Sequence, residues 1–144
     1  MKIRRLDSAD HDRVIALWRR AGLTTTRPQG RDAPDAFERE MAAGRAILLG
    51  VESDAGALIG VVLATHDGRK GWINRLAVDP DHRRDGMGRR LIEAAERALE
   101  AEGILVIAAL VEGHNRDSLA FFQAAGYSLH PDVRYLSKRA TPDA

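Results

Sequence analysis

The stretch from Trp72 to Val111 constrains the fold more than any other part of the chain. "WINRLAV" has the make-up of a strand, and Asp79-Pro80 ends it. "RRLIEAAERALEAEG" then places Leu91, Ile92, Ala95, Ala98 and Leu99 on one helical face, with Gly103 as its stop. "ILVIAALV" follows as a run too short to cross a membrane, and it reads as a central strand with both faces covered. A strand, a helix and a strand in that order belong to one sheet with a crossover connection.

The flanks fit around this unit. "MKIRRL" reads as a first strand, and "DSADHDRVIALWRRAG" as a helix capped by Asp7 or Ser8 and stopped by Gly22. "LTTTRPQGRDAP" reads as a loop and "DAFEREMAAG" as a short helix. "AILLGVE" and "ALIGVVLAT" pair across "SDAG", and a turn centred on Asp67-Gly68 leads into "WINRLAV". Downstream, "NRDSLAFFQAAG" is a last helix with Asn115 or Asp117 near its start. "YSLH" and "VRYLSK" are expected to form a terminal hairpin. The predicted order is β-α-α-β-β-β-α-β-α-β-β. This is an α/β (α+β) domain over residues 1–138, with a mixed sheet, helices on both faces and a frayed tail at 139–144.

The junction between strand and central helix reads "HRRDGMGRR". The first turn of a helix carries backbone N–H groups without intrahelical partners, and the helix dipole adds positive charge there. That makes an anion site. Gly86 and Gly88 lack the Cβ atoms that would keep a ligand at a distance, and Arg83, Arg84 and Arg89 are placed to add bonds at the rim. The third glycine of a dinucleotide fingerprint is missing, and so is a Gly-Lys-Ser/Thr loop. Read by itself, the stretch is equally a solvated turn.

Composition narrows the classes. With 22 basic and 21 acidic residues the net charge is +1, without the basic excess of a dedicated nucleic-acid binder. There is no cysteine, which removes disulfides, thiolate zinc sites and cysteine nucleophiles. The five histidines show no metal-ligand spacing on a helix. The N-terminus lacks the apolar region of a secretory signal, so the expected location is the cytoplasm, with neither membrane nor nucleic acid as partner.

Two motifs carry a family resemblance. "RRDGMG" matches an Arg/Gln-x-x-Gly-x-Gly/Ala pattern, and "NRDSLAFFQAAGY" has an asparagine, a small residue three on, an aromatic pair and a Gly-aromatic end. In that order, with a β-type run between them, they resemble the GNAT family of N-acetyltransferases over roughly residues 46 to 138. "HDGRKG", "AAGY" and "YLSKR" are also similar to the bacterial YpeA-like acetyltransferases. The resemblance implies a mostly antiparallel sheet whose parallel strand pair splays into a cleft. It implies acetyl-CoA as cosubstrate, no metal, and a small-molecule or peptide amine as acceptor. Homodimers are common among relatives.

The resemblance also implies roles. Backbone amides of Arg84, Asp85, Gly86, Met87, Gly88 and Arg89, with Arg83 beside them, would hold the pyrophosphate. Leu76, Ala77 and Val78 would line the pantetheine arm, with Leu76 and Val78 offering N–H and C=O groups to it. Asn115 would contact the cofactor, although it is equally a helix cap. Phe122 occupies the place of the family's usual tyrosine acid, so it packs near the thioester but has no proton to give. Glu112, two residues past Leu110 and so on the same strand face, is the candidate base. Asn74 would share a face with Leu76 in a regular strand and hold a polar group of the substrate, with Arg75 turned away unless a bulge intervenes. Water, the leaving amine proton or Tyr135 on the terminal hairpin would then serve the departing thiolate. The acceptor would be set by the first two helices, the 24–34 loop, the 66–71 turn and the terminal hairpin. Glu38, Glu40 and Asp67 are available to attract a cation. The alternative to an enzyme is an acyl-CoA-binding module or a degenerate transferase.

Overall fold

The computed structural model describes residues 2–144. In chain order the elements are β1 (Ile3–Arg5), α1 (His11–Arg20), α2 (Pro34–Ala42), β2 (Ala46–Glu52), β3 (Leu58–His66), β4 (Lys70–Val78), α3 (Met87–Ala101), β5 (Val106–Ala109) and α4 (Arg116–Ala124). The five strands lie in one sheet in the order β1-β2-β3-β4-β5. Neighbours from β1 to β4 are antiparallel, and β4 runs parallel to β5. β2 and β3 are apolar on both sides because both sides are covered. On one face α3 presents Leu91, Ile92, Ala95 and Leu99 to Ile47, Val62 and Ile73. On the other, α1 and α2 bring Val14, Leu17, Trp18 and Phe37 against Leu48, Val61 and Leu63. Asp7 caps the turn before α1 by accepting the Ala9 N–H at 2.9 Å, and Pro34 opens α2.

Two expectations change. "ILVIAALV" is not a central strand. β5 keeps only Val106–Ala109, forms the sheet edge and pairs with β4 alone, while Leu105, Val106 and Leu110 are exposed. Its apolar run serves the α3 side only in part. The terminal hairpin does not form: no helix or strand follows α4 among the described residues. A two-stranded hairpin gains little by itself unless it docks on a sheet, and Leu129, Val133, Tyr135 and Leu136 dock on none. The 139–144 tail turns back on itself and toward Gly30. The Ala144 N–H donates to Thr141 O at 3.1 Å, Arg139 donates to the Ala144 oxygen, and the Asp143 carbonyl stands over Gly30.

Among the described residues no helix is long and apolar enough to cross a membrane.

Candidate active site

The β4–β5 pairing runs only from Lys70 opposite Val106 to Ile73 opposite Ala109, and beyond it the strands part. The gap opens a cleft of about 840 Å³ between β4, the start of α3, the 110–115 loop and α4, within the range of small-molecule sites. Of the residues singled out from the sequence, Asn74, Leu76, Ala77, Val78, Arg83, Arg84, Asp85, Gly86, Met87, Gly88, Arg89, Glu112, Asn115 and Phe122 border it.

The edge of β4 explains why a ligand can pair there. The Asp79 N–H donates to Ile59 O at 2.8 Å, and Ala77 stands opposite Val61. In an antiparallel ladder, alternate residues bond the same neighbour. Ala77 therefore turns its N–H and C=O to β3, and Leu76 and Val78 turn theirs to the cleft. The Val78 carbonyl already accepts Arg83 Nε at 3.3 Å. Ala77 borders the cleft, while its backbone serves β3 and its side chain belongs to the α1 face.

The β4 ladder carries a bulge. Leu63 pairs with Arg75 and Ala64 with Ile73, so Asn74 is the extra residue. The bulge overturns the expected face of Asn74. Its Nδ2 donates to Thr65 Oγ1 at 2.7 Å, and Thr65 shares the sheet face of Val61 and Leu63 rather than that of Leu76. Arg75 is buried on that same side.

At the other end of the cleft the chain turns from β4 into α3. Asp79 ends the strand, its carboxyl held below the ordinary range first by the Asp81 N–H and also by Arg20. Arg84 (φ 75°) is the only non-glycine with positive φ among the described residues, and Gly86 (φ 81°) caps α3 in the left-handed region. Arg90 N–H returns to Gly86 O at 3.1 Å. The N–H groups of Met87, Gly88 and Arg89 precede the first intrahelical bond and open toward the cleft. This cradle fits a pyrophosphate. The side chains divide otherwise than expected. Arg83 donates to Ala21 O at 3.1 Å, and Arg89 pairs with Glu93 and reaches Ala124 O, so both guanidiniums brace the protein. Met87 is buried beneath Gly60. A Cβ on Gly88 would meet Phe121 and Leu76 at 3.4–3.7 Å, so this position faces α4 and β4 and has room for a methyl.

On the far wall, Asn115 Oδ1 accepts the Ser118 N–H at 3.1 Å, capping α4 while its amide nitrogen stays available. Phe122 stacks edge-on with Phe121 and Tyr127, at 5.3 and 5.2 Å between centroids. The Tyr127 hydroxyl donates to Glu96 at 2.8 Å. Burial first, then Glu96, pushes its phenol above the ordinary range. Glu112 Oε2 lies 3.3 Å from His114 Nε2, and both side chains border the cleft. Tyr135 is exposed and not part of the cleft wall.

Leu23, Thr24 and Thr25 border the cleft, so the 24–34 loop reaches it and the 66–71 turn does not. None of Glu38, Glu40 and Asp67 borders the cleft. Asp67 instead accepts the Arg69 and Lys70 N–H groups. The sequence reading missed Asp32, which fixes the loop through Arg75 at 2.7 Å. An aspartate in a loop and an arginine 43 residues on give no local signal of pairing.

A sheet parted beside a helix N-terminus that can cradle phosphate is the arrangement that the GNAT resemblance implies for an acyl-CoA transferase. The chain matches the Acetyltransferase (GNAT) family over residues 9–127 and belongs to that family. It is 32% identical over 143 residues to an acetyltransferase of Sodalis glossinidius (strain morsitans), covering 99% of this chain and 98% of the relative. Among solved structures it resembles the PaiA N-acetyltransferase of Thermoplasma acidophilum in complex with coenzyme A. The TM-score is 0.76 at 20% identity, covering 90% of each chain. It also resembles AAC(6')-Iy in complex with the bisubstrate analogue CoA-S-monomethyl-acetylneamine. Here the TM-score is 0.77 at 21% identity, covering 96% of this chain and 98% of the other. The chain is an N-acetyltransferase with acetyl-CoA as its cosubstrate.

Proposed function

We propose that the chain moves the acetyl group of acetyl-CoA directly to the primary amine of a small molecule, in a ternary complex. The observation that carries this reading is the freed β4 edge ending at the left-handed entry to α3. The amides of Met87, Gly88 and Arg89 receive the pyrophosphate, with Arg84 at the rim. The Leu76 N–H and C=O and the Val78 N–H pair with the pantetheine amides, and Asn115 approaches from the opposite wall. Phe122 packs beside the thioester. Glu112, with His114 at 3.3 Å, takes the amine proton directly or through water. The amine nitrogen then forms its bond to the acetyl carbon, and the C–S bond breaks. With Phe122 unable to donate, the thiolate takes the proton that the attacking nitrogen, cationic after the addition, gives up as the amide forms. AAC(6')-Iy, crystallised with a CoA–neamine analogue, supports a small-molecule acceptor.

Calorimetric titration with acetyl-CoA and with S-acetylpantetheine tests the cradle. Two charge-assisted bonds at about 1.5 kcal/mol each make acetyl-CoA roughly 100-fold tighter; equal affinities would refute the pyrophosphate site. Thiol release is then followed with spermidine, neamine and an alanyl peptide. Tight binding with no release above the rate without amine would favour the binding-module reading, which Phe122 motivates.

A further inference from the structure

One buried ion pair joins the β4 bulge to the loop on the acceptor side. Arg75 follows the extra residue Asn74 and is 7% exposed. Its guanidinium lies over the Trp18 ring, 4.4 Å from the centroid. One amino group donates to Asp32 Oδ1 at 2.7 Å and the other to Thr25 O at 3.0 Å. Asp32 is 4% exposed, and its Oδ2 accepts the Arg27 N–H at 2.6 Å. Among the described residues these two are the only buried charged side chains. Arg75 therefore grips the segment at Thr25 and at Asp32. Thr25 and Arg75 both border the cleft. A buried charge left without its partner is costly, so the loop cannot leave β4 without a large penalty.

We infer that Arg75 is a positioning residue that transmits the geometry of the β4 bulge to the Thr24–Thr25 wall, so that cofactor on the β4 edge orders the acceptor loop. This rests on the reading of the Leu76–Val78 edge as the pantetheine site. Cofactor that pairs with β4 favours the bulge as it stands. Loop conformations that need Arg75 to shift then become less populated. Asp32 supplies the grip on the loop side.

Hydrogen exchange of the full chain with and without coenzyme A tests this, beside Asp32→Asn and Arg75→Lys variants. In the native protein, coenzyme A is expected to slow exchange in residues 24–33 by roughly 5-fold or more. In Asp32→Asn, it should still protect residues 74–78, while its effect on the loop disappears; Arg75→Lys should lie between. A purely structural tie would speed loop exchange by the same factor with and without coenzyme A. That result would overturn the inference, as would an unchanged loop in the native protein. Absence of protection at 74–78 in the native protein would instead refute the pantetheine site, and the inference with it.

Discussion

Replacing Gly88 with alanine is expected to stabilise the fold and leave acetyl-CoA binding intact, whereas the same change at Gly86 should do the reverse. Gly88 is the second residue of α3, and a new Cβ would stand 3.4 and 3.5 Å from Phe121 ring carbons and 3.7 Å from Leu76 Cδ2. Those are ordinary contacts, so nothing has to move. Alanine in place of glycine in a helix gains about 0.5–1 kcal/mol, with the lower end fitting a first-turn position. Burying part of a methyl adds a few tenths of a kcal/mol. The sum is about 0.7 kcal/mol, which raises Tm by about 2 °C for a chain of this size. Gly86 has open space around its Cβ position, but φ is 81°. An L-residue there costs about 1–2 kcal/mol, partly offset through the unfolded chain, for a net loss near 1 kcal/mol and about 3 °C. Differential scanning calorimetry with acetyl-CoA titration reads both effects. Gly88→Ala should bind within about threefold of the native protein, a change of about 0.6 kcal/mol. A fall in its Tm, or a loss of affinity beyond about tenfold, would refute the assignment of Gly88 to packing.

Three further outcomes follow from the same geometry. Arg4 first, then Arg13, hold the Glu52 carboxyl at about 2, below its ordinary 4.5; this stabilisation is complete above pH 4.5 and lost as pH falls toward 2. Thermal melts of Glu52→Gln against pH should therefore be flatter than native in that window, and parallel profiles would show that the pair adds nothing. Leu99 is fully buried against Gly71 and Ile73 in the α3 core, and Leu99→Ala should cost about 2–5 kcal/mol in urea unfolding. Glu112→Gln should lower acetyl transfer by roughly 100-fold while acetyl-CoA affinity stays the same; undiminished transfer would remove Glu112 as the base.

Most of the architecture was legible because its signals are local. Apolar spacing in α3, the paired runs of β2 and β3, and the glycine-rich entry to α3 each announce themselves within a dozen residues. The cleft residues were legible for a different reason: two motifs fall in family order on a strand–helix–strand unit. What escaped depends on partners distant in the chain. "ILVIAALV" has the composition of a central strand, and only the lack of a neighbour on its outer side makes β5 an edge. The face of Asn74 turns on one extra residue opposite Leu63 and Ala64, which alternation alone does not show. The carbonyls that Arg83 and Arg89 reach, at Ala21 and Ala124, lie 62 and 35 residues away and leave no local signal.

The strict chain order of the strands bears on how the molecule assembles. β2, β3 and β4 form a meander joined by tight turns, so their contacts close short loops and can form early. The β4–β5 contact has to wait until α3 has crossed the sheet. The walls of the cleft are thus completed last, after most of the native surface has been buried. A ligand that recognises only the finished cleft has nothing to hold while the meander is nucleating. Coenzyme A should accordingly act as a brake on unfolding and leave the refolding rate almost untouched, lengthening the life of the native state without guiding the chain toward it.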